Sequence, residues 1–451
     1  MTSLPLLSRC APDDVIAWRQ GNAVTGARFV ADVMQLAAAL PRQSHVLNAC
    51  SDRYRFMVGF SAALMAGKTN LLPPALTPEM VRRLREFAPG TICLTDHPLD
   101  IDMPTVFWQT IMSLPASASQ QDVPVIPASR AAAVMFTSGS TGLPVSHVKT
   151  WGSLVAGAHA EADCLGLTGK DRHYIVATVP AQHMFGLEST MLLVQQGGMT
   201  MNAGQPFYPS DICATLAATP EPRILVSTPA HLKVLLASGL QVPPVKFVLS
   251  ATAPISPQLA SETESRLQTQ LLEIFGSTET GQIASRRTTQ SAEWKLFPGV
   301  TLDKPDGRFW ARGGHLQIPT PLADELELLG PEQFLLHGRT ADLINIAGKR
   351  SSLGYLNHQL NAIPGVLDGA FFMPEDIGDG PLARPMAFVV APDMQPAALQ
   401  AALRDRIDAL FMPRPLVLLK SLPRNSMGKL THGALLALAN EHQQKGLTHA
   451  G

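Results

Sequence analysis

Short apolar runs alternate with segments of helical periodicity along most of this 451-residue chain. The apolar runs predict buried strands, and they lie at 45–50, 132–139, 173–180, 224–228, 246–251 and 271–276. Between them, the apolar residues recur at the spacing of helices, at 55–67, 188–198 and 229–240. This regular alternation predicts a layered α/β fold.

The pattern changes after about residue 290, where Pro, Gly and alternating apolar residues at 295–320 predict short antiparallel strands and turns. A second change lies at Gly338 to Asp342, after which strands and helices resume in a smaller unit. We therefore predict a large domain at 1–338 and a small C-terminal domain at 339–451.

One stretch, "VMFTSGSTGLPVSHVK" at 134–149, contains a run of residues without bulky side chains. The run consists of Thr137, Ser138, Gly139, Ser140, Thr141 and Gly142. Such residues permit positive φ values and leave backbone amides exposed, which suits an anion. The apolar segment before the loop predicts a strand, and the residues from Trp151 onward predict a helix.

A strand, a Gly-rich turn and a helix form a common phosphate site in α/β proteins. A flexible linker has the same composition, and the Walker pattern of a glycine, four residues and Gly-Lys-Ser/Thr is absent. The loop alone therefore leaves both interpretations open.

Composition narrows the class of protein. The formal net charge of −1 argues against nucleic-acid binding. The five cysteines lack any Cys-x-x-Cys pair, which argues against a zinc site and a disulfide framework. The N-terminus lacks the pattern of a signal peptide, and no apolar run is long enough to span a membrane. We expect a cytoplasmic protein without an integral membrane segment.

Four further motifs decide between the two interpretations of the loop. They are "VPAQHMFGL" at 179–187, "FGSTETG" at 275–281, "GRTADLI" at 338–344 and "PRNSMGK" at 423–429. With the loop, they resemble in order and spacing the adenylate-forming superfamily of acyl-CoA synthetases, aryl-CoA ligases and adenylation domains. The resemblance implies a multi-layered α/β N-terminal domain with a small mobile α+β C-terminal domain.

A closer resemblance concerns the segments at 48–74, 148–154 and 345–357. They are similar to the AMP ligases of aryl polyene and xanthomonadin-type pigment pathways. That group implies ATP and Mg²⁺ as cofactors, a small aryl or acyl carboxylate as substrate, and an acyl carrier protein as acceptor of the activated acid. Free CoA is the alternative acceptor, because both thiols end in the same pantetheine.

The resemblance assigns roles around the phosphates. The loop at 137–142 would hold the β- and γ-phosphates, and Thr278 would contact the α-phosphate. Glu279 would help to hold Mg²⁺, which prefers oxygen ligands. Lys429 would reach the carboxylate and the α-phosphate, and His183 would stand between the acyl pocket and the thiol tunnel.

The resemblance also assigns residues to the nucleoside and to the thiol. Phe275 and Gly276 would lie near the adenine, as would the small-residue turn Ala251, Thr252 and Ala253. Asp324 would accept from the ribose hydroxyls, since it precedes Arg339 by fifteen positions, as in the family. Arg339 would serve the ribose and phosphates, and Gly348 would allow a pantetheine arm to approach.

Some positions depart from the family pattern. Val145 follows Pro144 where a lysine is usual, so the loop lysine is missing. Whether Lys149, four residues further on, supplies its positive charge is left open by the sequence. Ala341 stands where the domain hinge usually carries Asp or Lys, and the acidic residues that usually follow Arg350 are missing.

Three further readings remain open. The cations among residues 404–429 would steer an acidic carrier protein or would form an ordinary solvated face. The chain could be a degenerate homologue that binds nucleotide without turnover. An amino-acid-activating enzyme would need an acid near the start of the pocket helix to pair with the substrate ammonium. Glu188 directly follows the motif at 179–187, but nothing in the sequence places it inside the pocket.

Overall fold

The structure is a computed structural model. It describes residues 2–112, 122–138, 144–167, 172–339, 343–346, 349–374, 384–425, 428 and 430–448.

The strands of the described residues are numbered in chain order. They are β1 Ser3–Pro5, β2 Val15–Arg19, β3 Asn22–Thr25, β4 His45–Asn48, β5 Thr69–Leu72, β6 Ile92–Thr95, β7 Thr105–Phe107, β8 Val125–Pro127, β9 Ala131–Ser138, β10 Pro144–Thr150, β11 Tyr174–Ala177, β12 Thr200–Asn202, β13 Arg223–Ser227, β14 Phe247–Ser250, β15 Gln270–Ser277, β16 Gly281–Arg286, β17 Trp294–Leu296, β18 Val300–Asp303, β19 Trp310–Gly313, β20 Thr320–Pro321, β21 Asp324–Leu328, β22 Gln333–Arg339, β23 Leu343–Ile346, β24 Lys349–Ser352, β25 Asp368–Phe372, β26 Met386–Val390 and β27 Leu416–Leu418.

The helices of the same residues lie mostly between consecutive strands. They are α1 Gly26–Ala39, α2 Arg53–Met65, α3 Pro78–Phe87, α4 Trp108–Met112, α5 Trp151–Cys164, α6 Met184–Gly186, α7 Leu193–Gly197, α8 Pro209–Ala217, α9 Pro229–Ala237, α10 Pro257–Leu267, α11 Leu353–Asn361, α12 Pro396–Arg404 and α13 His432–Thr448. A π-helical segment, Leu187–Leu192, joins α6 to α7, and Ala409–Phe411 forms a 3₁₀ turn.

The large sheets are built around parallel strands. One sheet has the order β10-β9-β5-β4-β6-β7, and the other has the order β21-β22-β17-β16-β15-β14-β13-β11-β12-β2-β3. One hydrophobic cluster joins α1, α2, α5 and α7 to the inner strands of both sheets. The helices between the sheets therefore carry apolar residues on more than one face. Helix α2, predicted at 55–67, is an example, because nearly all of its residues are buried.

The predicted strands and helices at these positions are present, but the arrangement after the glycine-rich loop is not as expected. The strand β10 lies between the loop and α5 and pairs antiparallel with β9. Thr150 caps α5 by accepting from the amide of Ser153 at 3.2 Å, so the loop does not lead directly into a helix N-terminus. Apolar and polar side chains do not alternate along 145–150, where Val145 and Val148 are the apolar residues, so the period of a strand is absent from the sequence of this segment.

The C-terminal part contains smaller sheets. Strands β23 and β24 form a hairpin, and β25, β26 and β27 form a second sheet. Two buried apolar clusters within residues 344–439 belong to this part alone. The chain crosses into it through β22, where the Ser352 hydroxyl donates to the carbonyl of His337 at 2.6 Å.

All five cysteines are free thiols, as their spacing indicated. Among the helices that the structure describes, none combines the length and the apolar character needed to cross a membrane.

Candidate active site

The turn between β15 and β16 carries the two residues assigned to the α-phosphate and the metal. The Ser277 amide donates to Thr280 Oγ1 at 3.1 Å, and the Thr280 amide donates to Ser277 Oγ at 3.2 Å. These reciprocal bonds close the turn. Thr278 and Glu279 lie at its tip and are partly exposed, so both side chains are accessible to a ligand.

We use the name loop hairpin for β9 and β10, the antiparallel strands that flank the glycine-rich loop. The loop hairpin meets the β15–β16 turn through one face of β10. Thr137 Oγ1 lies 3.0 Å from His147 Nε2, and the same nitrogen lies 3.5 Å from Glu279 Oε1. Two residues further on, the Lys149 ammonium donates to the main-chain carbonyl of Glu279 at 2.7 Å. The end of β9, the strand β10 and the Glu279 turn therefore form one site.

The Glu279 carboxyl is held in its ionised form. Burial by itself would raise its pKa, but hydrogen bonds from its own amide and the Ser277 hydroxyl, with the charges of His147 and Lys149, lower the pKa below the usual value. An ionised carboxylate is a ligand that Mg²⁺ prefers.

The donor set also fits Mg²⁺. Within the described part of the chain, no three His, Cys, Asp or Glu side chains are grouped as a metal cage. One protein carboxylate, completed by phosphate oxygens and water, is a common way to bind Mg²⁺.

The residues assigned to the ribose stand opposite each other. Asp324 begins β21, Arg339 ends β22, and the antiparallel register pairs the two positions directly. The spacing seen in the sequence is therefore the spacing of a hairpin, with Asp324 half-buried. For Arg339 the structure describes the backbone, and the direction of its side chain stays a prediction.

The residues assigned to the adenine occupy the ends of neighbouring parallel strands. Phe275 is half-buried, and its ring centroid lies 5.5 Å from those of Trp294 and Phe334, so it belongs to an aromatic cluster and keeps one part exposed. Gly276 follows at a β-bulge of β15. After β14, Ala251 is buried, and Thr252 adopts a positive φ of 78°. A non-glycine residue in this conformation is strained, and such residues are frequent at ligand-binding turns.

His183 lies at the start of the segment that contains α6 and the π-helix. It is half-buried, and its carbonyl accepts from the Leu187 amide at 2.8 Å. Its role at the thiol tunnel stays a prediction.

Several assigned residues fall outside the described residues. They are Gly139, Ser140, Thr141, Gly142, Gly348 and Lys429, and Ala341 at the hinge is another. Ser138 is described only as the last residue of β9.

Comparison with known proteins identifies the family. A model of the AMP-binding enzyme family matches residues 8–332. The chain belongs to the AMP-binding enzyme family.

Curated relatives of this AMP-binding enzyme are ligases. It is 31% identical over 303 residues to 4-coumarate–CoA ligase from Rhodobacter capsulatus, over 66% of this chain and 74% of the relative. It is 27% identical over 332 residues to 2-succinylbenzoate–CoA ligase from Listeria monocytogenes, over 68% of this chain and 70% of the relative. The sequence resemblance to acid–thiol ligases that use ATP and Mg²⁺ is thereby confirmed at the level of the family.

Solved structures match the AMP-binding enzyme over nearly its whole length. The o-succinylbenzoate CoA synthetase of Bacillus subtilis in complex with its acyl-adenylate matches with a TM-score of 0.81 at 19% identity, over 96% of this chain and 98% of that one. The ATP-bound MatB of Rhodopseudomonas palustris matches with a TM-score of 0.79 at 19% identity, over 94% and 95% of the two chains. These matches confirm the predicted fold class.

Sequence reasoning missed a buried polar cluster beside the Glu279 turn of the AMP-binding enzyme. We use the name polar cluster for Lys149, Glu161, Glu188, Ser189, Gln282 and His315. Each residue is at most 8% exposed, and they come from β10, α5, the π-helix, β16 and the loop after β19. π-Helical segments often occur at functional sites, and this one carries Glu188 and Ser189.

A hydrogen-bonded chain links part of the polar cluster. Gln282 Nε2 donates to Ser189 Oγ at 2.7 Å, and that hydroxyl donates to Glu161 Oε1 at 2.6 Å. Burial raises the pKa of Glu161 to about 8, with the nearby Glu188 acting in the same direction. The hint in the sequence was an acid within a stretch rich in small and apolar residues, although His159 and Asp163 stand beside it.

Replacing Glu161 with glutamine should make the protein more stable at alkaline pH than the wild type. In the unfolded chain this carboxyl loses its proton near its usual pKa of 4.5, whereas the folded protein keeps the proton up to about pH 8. Between these values the unfolded state binds fewer protons, so the free energy of unfolding of the wild type falls as pH rises. The Glu161→Gln variant lacks this contribution and keeps the acceptor for Ser189.

Thermal unfolding of both proteins between about pH 5 and about pH 8 checks this expectation. The difference in Tm, variant minus wild type, should grow by a few degrees toward the alkaline end. Glu262→Gln, on the exposed face of α10 with 46% of the side chain accessible, is the control. A Tm difference for Glu161→Gln that is flat across this range would contradict the prediction.

Proposed function

We propose that this enzyme activates an aryl or acyl carboxylate as an acyl-adenylate and transfers the acyl group to the phosphopantetheine thiol of an acyl carrier protein, in a pathway of the aryl polyene type. The observation that carries the proposal is the junction of Thr137 and His147 of the loop hairpin with Glu279 of the β15–β16 turn. Thr278 of the same turn is accessible beside them.

In the first half-reaction, a carboxylate oxygen bonds to the α-phosphorus of ATP, and the bond from that phosphorus to the bridging oxygen breaks to release pyrophosphate. Bound Mg²⁺ would neutralise phosphate charge in this step. The carboxylate of Glu279 would hold the ion, and the Thr278 hydroxyl would donate to the α-phosphate. Lys429 would bring a positive charge to the two anions that approach each other.

The nucleoside would be held by the strand ends described above. Asp324 would accept from the ribose hydroxyls, as its pairing with Arg339 supports. The turn at Ala251–Ala253 and the exposed part of Phe275 would border the adenine.

In the second half-reaction, the thiol loses its proton, its sulfur bonds to the acyl carbon, and the bond between that carbon and the AMP oxygen breaks to release AMP. Rotation of the C-terminal domain at 339–451 would exchange Lys429 for the segment that contains Gly348. His183 would border the path of the pantetheine arm. Such rotations need only a few residues that absorb dihedral changes, so Ala341 is compatible with one.

The carrier protein is preferred as acceptor because of the closer resemblance of the segments at 48–74, 148–154 and 345–357 to the carrier-loading ligases. Exposed cations of the C-terminal part support it by offering a face to an acidic partner. Those described as exposed are Arg404, Arg406, Arg414, Lys420 and Arg424.

Free CoA is the second candidate acceptor. The observation in its favour is that the curated relatives of about 27–31% identity are named CoA ligases. An amino acid is a weaker candidate substrate, because the buried Glu188 already faces the positive charge of the chain's own Lys149.

Pyrophosphate release with ATP and Mg²⁺ tests the proposal across aromatic, cinnamic-type, medium-chain and long-chain acids. We expect a clear response to at least one class, followed by acyl transfer to holo carrier protein at a higher kcat/KM than to CoA. Preference for CoA would overturn the acceptor and keep the ligase. Silence with every acid, while ATP still binds, would identify a degenerate homologue.

A further inference from the structure

Lys149 occupies an unusual place for a lysine. Its side chain is only 8% exposed, and its ammonium donates to the main-chain carbonyl of Glu279 at 2.7 Å. We propose that Lys149 is a positioning residue, which fixes the Glu279 turn to the loop hairpin in the conformation that binds Mg²⁺. The inference rests on the proposed function, because that function makes Glu279 the metal ligand.

The turn is held from more than one side. Lys149 binds the carbonyl of Glu279, and His315 Nε2 lies 2.9 Å from the carbonyl of the next residue, Thr280. On the far side of the turn, the Gln282 amide lies 3.5 Å from Glu188 Oε1. Consecutive carbonyls are thus fixed by side chains from distant parts of the chain, while the Glu279 side chain itself stays 39% exposed.

Gly281 permits this close arrangement. Its φ of 72° is unfavourable for other residues, and a Cβ at this position would lie 2.6 Å from Glu188 Oε1 and 3.3 Å from His315 Nε2. The absence of a side chain therefore allows the Glu188 carboxyl to approach the backbone of the turn.

Glu188 is the nearby acid that compensates the charge of Lys149. Both side chains are more than nine-tenths buried, and an isolated ammonium at this depth would carry a large desolvation cost. Glu279 adds a second negative charge, and His147 and His315 are the other titratable groups near the ammonium.

The strand β10 explains how Lys149 relates to the missing loop lysine. Val145, His147 and Lys149 share one face of the strand, and burial increases along it, from a Val145 side chain that is 46% exposed to the buried Lys149. Lys149 therefore cannot replace the usual loop lysine as a direct phosphate ligand from the exposed end. It acts at the buried end, through the backbone that carries Glu279.

The test compares Lys149→Met with a matched control, Lys68→Met. Lys68 is also buried, at 6% exposure, and its ammonium also donates to a main-chain carbonyl at 2.7 Å, that of Gln43. In Lys149→Met we expect kcat for pyrophosphate release to fall at least tenfold, with a smaller change in KM for ATP. The Mg²⁺ concentration for half-maximal rate should rise severalfold. Lys68→Met should keep both values within twofold of the wild type.

The double variant Lys149→Met/Glu188→Gln separates positioning from charge compensation. It removes the acid that would be left uncompensated, so it should recover the Tm lost in Lys149→Met while kcat and the Mg²⁺ midpoint stay impaired. Recovery of the wild-type kcat and midpoint would show that Lys149 only balances Glu188, and would overturn the inference.

A binding measurement distinguishes failure of this inference from failure of the proposed function. Calorimetric titration of ATP, with and without Mg²⁺, needs no turnover. If the wild type releases no pyrophosphate with any acid, the proposed function fails. The positioning role then stands only if Mg²⁺ strengthens ATP binding in Lys68→Met and the wild type but not in the double variant, and it falls if all three respond alike.

Discussion

Replacing Lys429 with alanine is expected to lower the rate of acyl-adenylate formation by about two to three orders of magnitude, the usual effect of losing one preorganised group that stabilises charge in the transition state. The rate of thioester formation from a supplied acyl-adenylate should change far less, because Lys429 would leave the site when the C-terminal domain rotates. Pyrophosphate release and single-turnover thioester formation, measured on the same preparation, give the two rates.

The described neighbours of Lys429 show how its segment is anchored. Gly428 has a φ of 72°, and a Cβ there would lie 2.4 Å from Ala230 Cβ at the start of α9, so only glycine fits. The Arg424 guanidinium donates to the Gly428 carbonyl at 2.9 Å and forms an ion pair of 2.8 Å with Asp368. The segment before Lys429 is thus tied to β25 through Asp368, and its Gly428 lies against the start of α9.

Lys246→Ala, at an exposed position just before β14, is the control for Lys429→Ala and should keep both half-reactions near the wild-type rates. Equal loss of the two half-reactions in Lys429→Ala would count against its role in adenylation.

Replacing Glu279 with glutamine is the second change with a large expected effect. Glutamine keeps the size of the side chain and removes the negative charge that the surrounding hydrogen bonds and cations hold in place. We expect kcat/KM for the first half-reaction to fall at least about tenfold, since even indirect partners of a metal contribute tenfold to a hundredfold. The rate should also respond more weakly to Mg²⁺ between low and saturating concentrations.

Titration of the initial rate with Mg²⁺ at fixed ATP measures this effect. Glu327→Gln, at a surface acid with 57% of the side chain exposed and Oε2 lying 3.1 Å from His337 Nε2, should show the wild-type response. A Mg²⁺ response of Glu279→Gln identical to that of the wild type would remove Glu279 from the metal site.

Much of the fold could be predicted because its signals are local. The apolar run at 271–276 is present as β15, since burial on both faces of a parallel sheet requires such runs. The helical spacing at 229–240 is present as α9. The strand β10 was missed, because its apolar and polar residues do not alternate and it begins in a segment that glycine and proline mark as a loop.

The spacing of Asp324 and Arg339 carried tertiary information. Fifteen positions separate two residues that a hairpin register brings opposite each other. A hairpin is a local structure, so the number of residues between its paired positions is a property of the sequence. The family spacing therefore placed Asp324 and Arg339 in the same region before their surroundings were known.

The sequence by itself determined the layered α/β fold, the family and the residues of the Glu279 turn, because strand burial, helix periodicity and short motifs are properties of neighbouring residues. Only the tertiary structure decided that Lys149 is buried and bonded to the carbonyl of Glu279, and that Glu188 and His315 lie beside the same turn. These contacts join β10, the π-helix and the loop after β19 to β16. Residues so distant in sequence meet because the sheets and the helices between them pack around one core. Neighbouring residues alone do not determine that packing, so it could not be predicted from a local sequence pattern.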